Sequence, residues 1–218
     1  MLNRLRGAMT RLFTPVADAL LRLGVSPDAV TITGTLVVVV TALWAFPTGH
    51  LLAGTLVITV FVLTDSLDGV MARRAGRSGP WGAFLDSTLD RFGDAAIFGG
   101  LVLWFFGAGD DRLTATLALA CLILGSIVPY ARARAEGLGM TASGGIAERA
   151  DRLLLVLTAT ALVGFGLPLA VLTVVLALLA VASAITVVQR MAKVYAQARA
   201  LAVPSAPADG ASGHGADA

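Results

Sequence analysis

The sequence predicts an all-α integral membrane protein with six transmembrane helices and an amphipathic interfacial helix at its N-terminus. Of the 218 residues, 57% are hydrophobic and 14% are charged, and the mean hydropathy is +0.84. Apolar segments recur along the chain, each long enough to cross about 30 Å of hydrocarbon. The one cysteine, Cys121, excludes a disulfide framework within the chain and any cysteine-rich zinc site.

The N-terminal segment, residues 1–23, has apolar residues at helical spacing. Arginines interrupt this pattern at Arg4, Arg6, Arg11 and Arg22. Because these charges prevent a membrane span, we expect an amphipathic helix on the cytoplasmic membrane surface, with a helix packed in the bundle as the alternative. Ser26 then precedes Pro27, a pattern typical of a helix N-cap followed by proline in the first turn.

Six apolar segments follow the N-terminal helix. The predicted spans are residues 29–46, 51–72, 81–106, 113–133, 151–165 and 167–191. We divide the chain into the juxtamembrane helix (1–23), a six-helix domain (24–195) and a cytoplasmic tail (196–218). The end of that tail is rich in Ala, Gly, Ser, Pro and Asp, so we expect it to be disordered.

The basic residues predict the orientation in the membrane. Fourteen of the sixteen lysines and arginines fall in the N-terminal segment, the loop after the second span, the region around residues 132–152 and the C-terminal end. Since cytoplasmic loops carry the excess of such residues, both termini are predicted to be cytoplasmic.

Four aspartates interrupt this oily sequence within 26 residues: Asp65, Asp68, Asp86 and Asp90. The i,i+3 and i,i+4 spacings put each pair on one face of a helix. Ionised carboxylates are costly in a membrane and usually mark a site. Packed together they require a counter-charge, and hard divalent cations such as Mg²⁺ or Mn²⁺ prefer such oxygen ligands. Both pairs flank the basic loop, so the site is predicted to face the cytoplasm.

These residues belong to a longer pattern, D-x2-D-G-x2-A-R-x8-G-x3-D-x3-D, which is matched at every fixed position. The pattern resembles the signature of the CDP-alcohol phosphotransferase family. The resemblance implies transfer of a phosphatidyl group from CDP-diacylglycerol to an alcohol, with release of CMP. It also implies a homodimer, two Mg²⁺ or Mn²⁺ ions per site and Asp90 as general base. The implied metal ligands are Asp65, Asp68, Asp86 and Asp90.

The same resemblance implies a binding site for the CDP-lipid. Its residues are Asp28, Ala29, Val30, Thr31, Gly69, Arg73 and Gly79. Arg73 is placed to meet a phosphate, and Gly69 would let a nucleotide approach the helix backbone. The alternatives are a helix–helix contact for Gly69 and helix capping for Asp28.

Cations on the same side of the membrane indicate a phosphorylated acceptor. They are Arg132, Arg134, Arg149, Arg152 and Arg190. Arginine binds phosphate through paired hydrogen bonds, although contact with lipid headgroups is the alternative for each of them. The surrounding segments resemble the phosphatidylinositol phosphate synthases of actinobacteria, which implies inositol 1-phosphate as acceptor and Arg132, Arg134, Arg152 and Arg190 as phosphate ligands. Pro129 and Arg132 replace a serine and a lysine of that pattern.

Two other functions remain open from the sequence. Glycerol 3-phosphate also carries a phosphate and could be the acceptor in the same chemistry. A membrane cation transporter could use the aspartates as an ion path, but it would spread its carboxylates in depth over several helices. No feature of the chain indicates nucleic-acid binding, and membrane lipid is an expected partner.

Overall fold

The computed structural model describes residues 13–76, 79–146 and 148–202, without the side chains of residues 64–66 and 202. Helix α1 covers 13–22, and residues 1–12 of the predicted N-terminal helix lie outside the described part. The other helices are α2 (Pro27–Ala45), α3 (Leu51–Arg74), α4 (Pro80–Phe106), α5 (Arg112–Glu136), α6 (Arg149–Gly164) and α7 (Ala170–Ala202). The all-helical class is confirmed for the described residues.

The helix start at Pro27 follows the predicted capping. Ser26 has an extended backbone, and its hydroxyl accepts a hydrogen bond from the Ala29 amide at 3.2 Å. This bond satisfies an amide that the first helical turn leaves without a backbone partner.

Helices α2 to α7 close into a ring in the order α2, α4, α5, α7, α6, α3. Its core is apolar and includes Phe46, Ile58, Phe98 and Leu176. Helices α2 and α4 approach closely at Gly100, where an added Cβ would lie 2.4 Å from the Ala42 carbonyl oxygen. The short α2–α3 and α3–α4 connections make these helices antiparallel, so the start of α2, the end of α3 and the start of α4 meet at one end of the ring.

Helix α1 packs against the end of α3. Ala17 is buried with Leu67 and Met71, and Asp18 accepts a hydrogen bond from Arg74. The apolar face of α1 is thus covered in part by α3, while Val16 on the same helix is exposed. Its position at the membrane surface stays a prediction.

By length and composition alone, four helices of the described part could cross a membrane: α2, α3, α5 and most of α7. Helix α4 has 27 residues, but Asp86, Asp90, Arg91 and Asp94 make it too polar. Helix α6 has 16 residues, about 24 Å of helix against about 30 Å of hydrocarbon. These four apolar helices confirm the predicted membrane character of the chain, while the predicted number of six spans stays a prediction.

Helix α7 continues to Ala202, past the predicted end of the helical domain at residue 195. Contacts with the α5–α6 connection accompany this extension. Gln197 donates to the Thr141 carbonyl oxygen at 2.7 Å and accepts from the Thr141 amide at 2.9 Å, while Lys193 donates to the Ser143 carbonyl oxygen at 2.8 Å. The tail beyond residue 202 lies outside the described residues.

Candidate active site

Asp68 and Asp90 face one small cavity between α2, α3 and α4. Its volume is about 30 Å³, and Val30 and Thr31 of α2 also line it. Asp68 is buried, with 8% of its surface exposed. It accepts a hydrogen bond from the Thr31 hydroxyl and one from the Gly69 amide at 2.6 Å. The structure thus brings together one predicted metal ligand from each acidic pair.

The remaining two acids are placed differently. Asp86 is exposed, one turn before Asp90 on α4, and the Asp65 side chain lies outside the described part. Among the side chains that the structure describes, no three acidic, His or Cys residues lie close enough to hold one metal ion. The donors that do share the cavity are carboxylates, which suit Mg²⁺ or Mn²⁺ and not zinc. The chemistry of these residues therefore fits Mg²⁺ or Mn²⁺. That all four aspartates bind the metal stays a prediction.

The residues predicted for the CDP-lipid surround the same end of the ring. Asp28 accepts a hydrogen bond from the Trp81 indole at 3.0 Å, which joins the start of α2 to the start of α4. An added Cβ at Gly69 would meet only the Arg73 guanidinium, at 3.5 Å. Among the described residues, no other helix lies within 4 Å of this position. Ala29 and Gly79 are exposed at this end of the ring. We call this end, where the starts of α2 and α4 meet the end of α3, the entrance.

A second, basic cavity of about 270 Å³ adjoins Asp90. It is lined by Asp90, Arg91, Val128, Pro129, Arg132, Glu148, Arg149, Arg152 and Arg190. Three of the four predicted acceptor arginines, Arg132, Arg152 and Arg190, therefore lie together. The fourth, Arg134, is exposed near the end of α5 and is not part of this lining. The lining thus has five guanidinium groups and two carboxylates, Asp90 and Glu148. This excess of positive charge suits a phosphorylated polar molecule.

Backbone carbonyls fix two of these arginines. Arg190 donates to the carbonyl oxygens of Val128 and Gly144. Arg152, whose side chain is 2% exposed, donates to the Gly125 carbonyl oxygen at 3.4 Å. Pro129 lies four residues after Gly125 inside α5 and has no amide hydrogen, so that carbonyl has no helical partner at this position. Pro129 thus leaves the Gly125 carbonyl oxygen as an acceptor for Arg152.

Arg149 joins the two cavities. Its Nη1 lies 2.8 Å from Asp90 Oδ1, and its Nε lies 3.1 Å from Asp94 Oδ1. Arg91 is more distant, with Nη2 at 3.8 Å from Asp90 Oδ2. The Asp90 carboxylate is therefore oriented mainly by α6, at the boundary between the two cavities.

The family model for CDP-alcohol phosphatidyltransferases matches residues 24–145. The chain belongs to the CDP-alcohol phosphatidyltransferase family. The matched region contains the whole acidic pattern and every residue that lines the cavity between α2, α3 and α4 except Arg149.

Curated relatives support a narrower grouping. The chain is 48% identical to the phosphatidylinositol phosphate synthase of Cutibacterium acnes over 201 residues, covering 89% of this chain and 97% of that protein. It is 44% identical to the synthase of Streptomyces avermitilis over a 223-residue alignment, covering 99% and 91%. These lengths show that the resemblance extends past the family model into α6 and α7.

Solved structures agree with this grouping. The crystal structure of the Mycobacterium tuberculosis phosphatidylinositol phosphate synthase with CDP-DAG bound matches with a TM-score of 0.81 and 45% identity, over 85% of this chain and 94% of that one. The same protein in complex with manganese and citrate also matches at 0.81, over 84% and 88%. The helical ring described above is thus the fold of a phosphatidyltransferase.

Two residues of this family member were not among the predicted site residues. Arg149 is one of the cations on the predicted cytoplasmic side but is not a predicted phosphate ligand, and Asp94 is not a predicted site residue. Their signal in the sequence is spacing: Asp94 is one turn after Asp90, and Arg149 and Arg152 are i,i+3 at the start of α6. Only the tertiary structure shows that the two spacings face each other, because α4 and α6 are not adjacent in the ring and meet through these side chains.

Proposed function

We propose that this protein transfers the phosphatidyl group of CDP-diacylglycerol to inositol 1-phosphate, releasing CMP and forming phosphatidylinositol phosphate. One observation carries the proposal: the basic cavity shares Asp90 with the cavity that holds Asp68. A phosphorylated acceptor in the first would place a hydroxyl next to a carboxylate at the edge of the second. The names of the C. acnes and S. avermitilis relatives support the same acceptor.

In this proposal the entrance formed by α2, α3 and α4 binds the CDP-lipid. Thr31 and Asp28 hold the start of α2 to α3 and α4 through their hydrogen bonds. Open space beside Gly69 admits the nucleotide, and Arg73 contacts a phosphate. The CDP-DAG complex of the M. tuberculosis relative supports a site for this lipid in the shared fold.

The acceptor phosphate binds the arginines of the basic cavity, chiefly Arg132, Arg152 and Arg190. This leaves an inositol hydroxyl near Asp90, which accepts its proton as general base. The hydroxyl oxygen forms a bond to the lipid-side phosphorus, and the bond from that phosphorus to CMP breaks. Arg149 holds the Asp90 carboxylate in place for this transfer.

Two Mg²⁺ or Mn²⁺ ions complete the proposed site. Asp65, Asp68, Asp86 and Asp90 would hold them, and the manganese complex of the M. tuberculosis relative supports a divalent ion. When bound, such ions neutralise pyrophosphate charge and make the phosphorus more electrophilic.

The proposal includes the placement in the membrane. Helices α4 and α6 cross with the four apolar helices, giving six spans, because their polar residues face the site inside the ring. Both termini and the site face the cytoplasm of a bacterial cell, where the soluble acceptor is found. We retain the N-terminal helix (1–23), the helical domain from residue 24 and the homodimer implied by the family. The boundary predicted at 195/196 moves to the end of α7 at Ala202, and the disordered cytoplasmic tail is proposed only for the residues after it.

The test is CMP release by the purified protein with CDP-diacylglycerol and Mg²⁺ or Mn²⁺. Inositol 1-phosphate, glycerol 3-phosphate and free inositol are compared as acceptors in parallel. Release with inositol 1-phosphate alone supports the proposal. Release with glycerol 3-phosphate alone would keep the acidic site and overturn the assignment of the acceptor.

A further inference from the structure

Asp94 connects the two arginines at the start of α6. It is buried, with 8% of its surface exposed. Its Oδ1 accepts from Arg149 Nε at 3.1 Å, and its Oδ2 accepts from Arg152 Nη2 at 3.3 Å. Because Arg149 also contacts Asp90, charges alternate from Asp90 through Arg149 and Asp94 to Arg152.

Asp94 lies behind the basic cavity and does not line it. It faces a neighbouring cleft beside Cys121 and Gly125 instead. An acceptor in the basic cavity would therefore contact Arg149 and Arg152 and not Asp94. Any influence of Asp94 on the acceptor has to pass through these two guanidinium groups.

The Asp94 carboxylate lies where it can hold both arginines in place. Each oxygen of Asp94 takes one arginine, so a single side chain fixes two cations that are i,i+3 on α6. Arginine side chains lose considerable rotamer freedom when they are ordered, and like charges lining one cavity repel each other. A buried anion behind them lowers both costs before an acceptor arrives.

We propose that Asp94 is a positioning residue, whose carboxylate holds Arg149 and Arg152 with their other N–H groups directed at the phosphate of a phosphorylated acceptor. This inference rests on the proposed transferase function. Two aspartates of α4 then have different functions. Asp90 accepts the proton of the reacting hydroxyl, and Asp94, one turn away, orients the arginines that bind the acceptor phosphate.

The experiment compares wild type, Asp94→Asn and Asp94→Glu in the CMP release assay, with inositol 1-phosphate and CDP-diacylglycerol varied in turn. Losing a charge-assisted hydrogen bond should raise the acceptor KM of Asp94→Asn about tenfold to a hundredfold. The KM for CDP-diacylglycerol should rise by less than the acceptor KM, because Arg149 keeps its own contact with Asp90 and Arg152 does not line the cavity between α2, α3 and α4. Asp94→Glu keeps the charge, so its acceptor KM should lie between the two.

Asp111→Asn is the matched control, since Asp111 caps α5 at the other end of the ring, and its acceptor KM should equal that of wild type. An unchanged acceptor KM in Asp94→Asn, or an equal rise of both KM values, would overturn the positioning role. If Asp94→Asn does not fold, Asp94→Glu decides: a several-fold rise in acceptor KM alone supports the role, and no rise overturns it. Absence of CMP release by folded wild type with every acceptor would overturn the proposed function as well.

Discussion

Thr31→Val tests whether Asp68 belongs to a metal site. The Thr31 hydroxyl donates to Asp68 Oδ2 and lies 3.2 Å from the Pro27 carbonyl oxygen. Valine has nearly the same shape as threonine but cannot donate a hydrogen bond. The substitution thus removes one interaction of a buried carboxylate and leaves the packing of α2 against α3 in place.

The size of the effect follows from the bonds that remain. A hydrogen bond to a charged group contributes about 1.5–3 kcal/mol, and loss of a group that orients a metal ligand typically costs about 10- to 100-fold in affinity. Asp68 keeps the Gly69 amide at 2.6 Å, and Thr31 is only half-buried. We therefore expect the lower end, an approximately tenfold weaker response to the metal.

The assay measures CMP release as a function of Mn²⁺ concentration, with both substrates saturating. Thr33→Val is the control, because Thr33 is an exposed threonine on the same helix. The half-saturating Mn²⁺ concentration should rise in Thr31→Val and stay at the wild-type value in Thr33→Val. Equal Mn²⁺ dependence in all three proteins would refute the reasoning that Thr31 supports a metal-binding carboxylate.

Three further predictions concern the base, the acceptor site and the opposite end of the ring. Asp90→Asn should lower kcat by about 10²- to 10⁴-fold while the thermal unfolding midpoint stays near that of wild type; near-normal turnover would contradict the base assignment. Arg152→Ala should raise the acceptor KM and also destabilise the protein. The loss of stability should be less than the about 3–5 kcal/mol usual for a broken buried ion pair, because Asp94 keeps its contact with Arg149. An unchanged acceptor KM would show that Arg152 has only a structural role. Hydrogen bonds from the Thr114 amide and hydroxyl lower the pKa of Asp111, so Asp111→Ala should cost about 1 kcal/mol near neutral pH. That difference in stability should shrink as the pH falls from about 4, the usual pKa of an unfolded aspartate, through the lowered pKa of the native carboxylate. A difference that does not change with pH in unfolding curves over this range would contradict the prediction.

The acidic pattern, the apolar spans and the basic loops could be predicted from the sequence because each depends on local chemistry. The predicted helix boundaries lie within a few residues of the observed ones for α2 to α6. Capping at Ser26 was equally local, since it needs only a hydroxyl three residues before an amide. Family membership followed from residues at fixed spacing within α3 and α4.

Other features depended on which helices become neighbours. The length of α7 is accompanied by the contacts of Gln197 and Lys193 with a loop some 50 residues away in the chain. Helix α1 proved to pack on α3, a choice that its amphipathic pattern alone left open.

The sequence by itself determined that this protein places carboxylates and arginines at one end of an apolar helical bundle. Only the tertiary structure decided which of them meet: Asp90 with Arg149, Asp94 with Arg152, and Arg190 with the carbonyls of Val128 and Gly144. The physical reason is that an ion pair forms over a few ångströms, whereas sequence spacing fixes only the face of a single helix. The relative rotation and depth of α4 and α6 come from packing of the whole ring.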